Sequence, residues 1–145
     1  TLNEIFKVAN DPVDINRANM ELARVQREFA RKLKLENKQG PADETLGQAT
    51  ASYERIVLLA DDRNEKLRPI IEEALREVVD VYEERGRFKD AVEACDRYLA
   101  KFPESPAGAD IRRRQQALRL KAAAEAPAPA PAPAPGAPEA ARPAP

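Results

Sequence analysis

Residues 72–103, EEALREVVDVYEERGRFKDAVEACDRYLAKFP, constrain the fold more than any other stretch of the chain. They hold two amphipathic helical patterns broken only at Arg85-Gly86-Arg87. In the first, Ala74, Leu75, Val78, Val79, Val81 and Tyr82 recur at helical spacing; in the second, Ala91, Cys95, Tyr98 and Leu99 do. Gly86 stands where two antiparallel helices need a residue that tolerates positive φ. Two such stripes a few residues apart can bury themselves only against each other and against further helices. The stretch therefore predicts an all-α protein built of helical hairpins.

Set against the W-x2-L-G-x2-Y…A-x3-F…P signature of a ~34-residue helical repeat, the residues fall in register. Leu75 takes the large apolar position, Val78 and Val79 the L-G pair, Tyr82 the Y, Ala91 the A, Cys95 the F and Pro103 the terminal P. The segment resembles a tetratricopeptide repeat. Val79 and Tyr98 replace residues that are usually small. The run GRFKDAVEACDRYLAKFPESPAGAD, with Tyr98-Leu99, Phe102-Pro103 and Ser105-Pro106, is similar to a bacterial subtype of the repeat. That subtype is found in envelope proteins that include Tol-Pal coordination and outer-membrane-assembly proteins. The resemblance implies a binding scaffold that presents a groove to a partner. It also favours a periplasmic or envelope location over the cytoplasm.

The rest of the chain extends this pattern. Residues 1–10 form a candidate short helix with Leu2, Ile5, Phe6 and Ala9 on one side, ended by Asp11-Pro12. A long helix is predicted over 13–37, with Asp14 as N-cap. Its stripe of Ile15, Ala18, Leu22, Val25, Phe29 and Leu33 fits either a peripheral helix or a coiled-coil seam. Lys38–Pro41 reads as a loop, followed by a helix over 43–60 with Leu46, Ala49, Tyr53, Ile56, Val57 and Leu59 or Ala60 inward. Ala49, Tyr53 and Ile56 occupy the places that Ala91, Cys95 and Tyr98 take one repeat later. A central helix runs from Pro69 to about Arg85 and its partner over 88–101. A cap helix over about 107–124 carries a thin stripe of Ala107, Ile111, Leu118 and Ala122. From Ala126 the alternating Ala-Pro sequence bars helix and predicts a disordered, extended tail. The expected organisation is an N-terminal segment (1–12), a short helical solenoid (13–124) and the Ala/Pro-rich tail (125–145).

Composition restricts the chemistry. A chain of 145 residues supports one domain. It has no histidine, which removes the commonest general base at neutral pH, and a single cysteine, which excludes thiolate zinc sites. No phosphate-binding glycine loop is present. Asp61-Asp62-Arg63-Asn64-Glu65 lacks the loop glycine of a calcium site. No catalytic residue, cofactor or metal is expected. Cys95, at an apolar helical position, reads as a buried small hydrophobe. The 24 basic and 25 acidic residues nearly cancel, giving no general attraction to nucleic acid or to anionic membranes. Arg112-Arg113-Arg114 is too local, and too poor in aromatic neighbours, to change that. No apolar run reaches the length of a membrane helix. The chain does not open with Met, so something upstream of it is expected to have been removed or left out.

The charge pattern is uneven. The repeat register places Glu73, Arg76, Asp80, Glu83 and Glu84 on the groove side of the central helix, while the first long helix over 13–37 and the segment Asp110–Lys121 are net basic. Two readings follow. These faces attract one another within the stack, or the acidic groove receives a basic or helical segment of a partner. The expected function is a non-enzymatic protein–protein adaptor. The alternative is a structural element that self-associates through helix 13–37.

Overall fold

The structure, a computed structural model, describes residues 10–125. The short helix expected over 1–10 and the Ala-Pro tail lie outside the described residues, apart from Asn10. Five helices follow in order: α1 (Pro12–Leu35), α2 (Gln39–Leu59), α3 (Arg68–Glu84), α4 (Phe88–Lys101) and α5 (Gly108–Glu125). Each packs on the next, and α1 also reaches α3. The described residues form the expected all-α, TPR-like set of antiparallel hairpins, with α5 at the C-terminal end of the array.

Both hairpins turn by the same device. At α3–α4, Arg87 N–H donates to Tyr82 O at 2.8 Å and Gly86 N–H to Glu83 O at 3.0 Å, with Gly86 at φ +69°. At α1–α2, Lys38 N–H donates to Leu33 O at 2.9 Å and Asn37 N–H to Lys34 O at 3.0 Å, with Asn37 at φ +60°. These are Schellman endings. Glycine supplies the left-handed residue in one and asparagine in the other; asparagine is among the few side chains that enter this region readily.

Two boundaries and one buried face differ from the sequence-based expectation. Asp11, not Asp14, is the N-cap of α1; its carboxylate accepts from Val13 N–H at 2.8 Å. Pro12 then occupies the first turn, where a missing N–H leaves nothing unpaired. The expected loop at 38–41 is largely helical, because α2 starts at Gln39 and the same tolerance accommodates Pro41. In α1 the core side is Met20, Ala23, Ala30 and Leu33, whereas Ile15, Ala18, Leu22, Val25 and Phe29 are exposed.

The core runs through the middle helices. Ala49, Tyr53 and Ile56 of α2, and Ala91, Cys95 and Tyr98 of α4, are all fully buried, as the repeat spacing leads one to expect. On α3, Ile71, Ala74, Leu75, Val78, Val79 and Val81 are fully buried, a stripe wide enough to serve neighbours on two sides. Leu59 is exposed, and Ala60 is only partly covered. In α5, Ile111 and Leu118 face the core together with Gln115, whose amide donates to Asp96. Asp61 and Asn64 accept N–H bonds from Arg63 and Lys66, each at 3.0 Å, so they shape the turn before α3. Among the described residues no helix is long and apolar enough to cross a membrane.

Candidate functional site

The first helix of each hairpin, and α5 after them, contribute to one charged face centred on α3. One turn of α3 separates Glu73 from Glu77, and the next turn brings Asp80 and Glu84 to the same side. Arginines of α1, spaced by three and four residues, meet them. Arg24 reaches Glu73 at 2.5 Å and Glu77 at 2.7 Å. Arg27 reaches Glu77 at 3.4 Å, Asp80 at 4.0 Å and Glu84 at 2.5 Å. Arg31 reaches Glu84 at 2.8 Å. From the other side, Arg114 of α5 pairs with Asp80 and with Glu83 at 2.8 Å, and Lys121 with Glu83 at 2.6 Å.

The residues expected at the groove are therefore brought together, but four of the five are engaged within the chain. Glu73, Asp80, Glu83 and Glu84 each hold a base from α1 or α5. Arg76 alone of the set is exposed, and makes no ion pair among the described residues. Glu77 was missed by sequence reasoning, although its position one turn after Glu73 is the signal for it. Its carboxylate lies between Arg24, Arg27 and the hydroxyl of Tyr53, which donates to it.

Protonation follows the pairing. Hydrogen bonds from Lys121 and Arg114 hold Glu83 below the usual carboxylate value. Burial by itself would raise Glu84, but the bonds from Arg27 and Arg31 outweigh it and the net direction is down. Burial, then the Glu77 carboxylate, push the Tyr53 phenol up. Glu83 and Glu84 are thus held as carboxylates by the bases around them.

Two further carboxylate–tyrosine contacts tie neighbouring helices together, one between the hairpins and one within the second. Glu54 of α2 accepts from Tyr82 of α3 at 2.9 Å and from Arg97 of α4 at 2.6 Å. Burial and then Glu54 push the Tyr82 phenol up to about 12. Glu72 of α3 accepts from Tyr98 at 2.5 Å and from Ser105 at 2.6 Å. Tyr98, the aromatic that departs from the usual small residue, therefore links α4 to α3 and to the turn before α5.

Cys95 is fully buried, and burial pushes its thiol up to about 11, so it is not a thiolate at neutral pH. The Arg112–Arg114 run is divided by the fold: Arg113 pairs with Asp110, and Arg114 turns inward to α3. Among the described residues no cluster has the composition of a metal site.

Residues 72–124 match the tetratricopeptide repeat family. The match spans most of α3, all of α4 and nearly all of α5. Over this stretch the chain is TPR-like. No curated protein and no solved structure matches it. Repeats of this family generally mediate protein–protein interaction.

Proposed function

We propose that the protein is a non-enzymatic adaptor that holds a partner protein against the face of α1, α3 and α5, with Glu73, Arg76, Asp80, Glu83 and Glu84 at the contact. The observation that carries this reading is the convergence of three helices on one ordered charge lattice. An open cleft of about 430 Å³ adjoins it, lined by Met20, Arg24, Ile70 and Glu73 among others. A purely basic segment has to displace Arg24, Arg27, Arg31, Arg114 or Lys121 from their carboxylates, which costs most of the Coulombic gain. A helical segment carrying both signs, with an apolar side chain for the cleft, meets the lattice without breaking it.

Photo-crosslinking tests the site. A crosslinker placed at Arg76 is expected to trap a specific partner, while one at exposed Arg55 on α2 is not. Equal capture from both positions, or capture only from Arg55, sinks the groove assignment. The resemblance of residues 86–110 to the envelope subtype supports a further proposal, that the protein works in a bacterial cell envelope. Recovery in the cytoplasmic fraction of the native cell counts against that.

A further inference from the structure

One apolar surface plays no part in the charged face. Along α1, Ile15 is 45% exposed, Leu22 50%, Val25 64% and Phe29 54%. The other sides of α1 are occupied: Met20, Ala23 and Ala30 enter the core, and Arg24, Arg27 and Arg31 hold α3. The exposed residues, with Ala18 between them, step by three and four, which is the spacing of a heptad seam. On α2, Ser52 lies 3.2 Å from Gln26 of α1. Leu59, 77% exposed, is two turns further along the same side of α2 and widens the patch at its N-terminal end.

The geometry points to a second copy of this chain as the cover of this stripe, paired with it in parallel. Three observations select that occupant. The stripe has the pitch that packs knobs-into-holes against a stripe of the same pitch, and a second copy supplies one. Its size suffices: about half of four large side chains plus Leu59 is roughly 500 Å² of apolar surface, so a pair buries about 1,000 Å², where specific interfaces begin. Its edges are also complementary in one direction only. Asp14, Glu21 and Glu28 line one edge, and neutral Asn19 and Gln26 the other. Parallel pairing sets the acidic edge of one copy against the neutral edge of its partner, whereas antiparallel pairing sets acid against acid. Arg24 and Arg31 hold Glu21 and Glu28 from behind at 2.8 and 2.5 Å, and Lys32 closes the seam.

Sedimentation equilibrium of the full chain at tens of micromolar tests this. The expected mass is twice the 16.1 kDa of one chain. Leu22→Glu combined with Phe29→Glu should weaken association at least about 100-fold with helicity unchanged, because both side chains already stand half in water. Val25→Cys should cross-link to itself on oxidation, since a parallel seam brings the two copies of position 25 together; buried Cys95 stays out of the reaction. A one-chain mass across the range overturns the proposal. If Leu22→Glu then also lowers the melting temperature, the cover lies within the chain. A dimer that survives the double substitution, or that gives no cross-link at position 25, overturns it as well.

Discussion

The two ends of the array differ in a way their charge does not reveal. Both α1 and α5 are net basic, and both send bases to the acids of α3. Behind those bases they diverge. The outer side of α5 is Arg112, Arg113, Gln116 and Arg119, with Leu120 its one large exposed hydrophobe. The outer side of α1 carries Ile15, Leu22, Val25 and Phe29. A polar last helix is what a solenoid needs at an end that meets water. An apolar one at the other end is what an interface needs. The same helical scaffold and the same ion-pairing device thus serve two opposite purposes, and only the residues facing away from α3 set them apart.

The largest effect that separates the ends should come from apolar truncation. Leu118→Ala, at the buried side of α5, is expected to lose about 3 kcal/mol. Phe29→Ala removes a larger side chain from α1 yet should change the stability of one chain by less than about 0.5 kcal/mol. Urea unfolding followed by circular dichroism, at a dilution where chains are single, measures both. Similar losses would mean that Phe29 is covered within the chain.

Ion pairing sharpens the contrast on the inner side. The side chain of Arg27 is only 12% exposed and serves three carboxylates, whereas that of Arg114 is 34% exposed. Arg27→Ala is expected to cost about 2 kcal/mol, since it leaves partly buried acids uncompensated. Arg114→Ala should cost about 1 kcal/mol or less. The reverse order in the same unfolding experiment would place the electrostatic centre at the α5 end.

The hairpin turns come next. Gly86→Ala is expected to cost about 1 kcal/mol, all of it from the left-handed backbone, because an added Cβ meets nothing within 4 Å. Asn37→Gly should be neutral within about 0.5 kcal/mol, since asparagine already tolerates that conformation. A large loss on Asn37→Gly would show that its side chain does more than permit the turn.

The gentlest probe is acid. Glu83 and Glu84 both titrate below the usual carboxylate value in the folded chain. A depressed carboxylate stabilises the fold above its unfolded value, and that stabilisation disappears as pH falls through the lower folded value. Stability should therefore be flat near neutrality and fall below roughly pH 4. Glu84→Gln and Glu83→Gln should each flatten that decline. Melting temperatures across the acid range would show which end gives way first, and a decline unchanged in both variants would place the responsible carboxylates elsewhere.

Much of this was legible in the sequence. Periodicity over 72–103 announced the α3–α4 hairpin, and Gly86 marked its turn, because a glycine between two amphipathic stripes has few other uses. The pairing of Ala49, Tyr53 and Ile56 with Ala91, Cys95 and Tyr98 was visible from spacing alone. Cys95 read as a buried residue and is one. The acidic run on α3 and the net basic character of α1 and α5 were also plain from composition.

Contact geometry lay beyond that reach. Spacing shows that Ile15, Leu22, Val25 and Phe29 share a side of α1; it does not say whether that side meets the core or water. The outcome depends on the small residues Ala23 and Ala30, which let α1 approach closely on a different face, and on Arg24, Arg27 and Arg31, which orient it toward α3. In the same way, the sequence placed acids on the groove side of α3 without deciding whether they wait for a partner or are already held. The answer came from two helices that reach α3 from opposite directions, because a charge is neutralised by what lies beside it in space, whatever its distance along the chain.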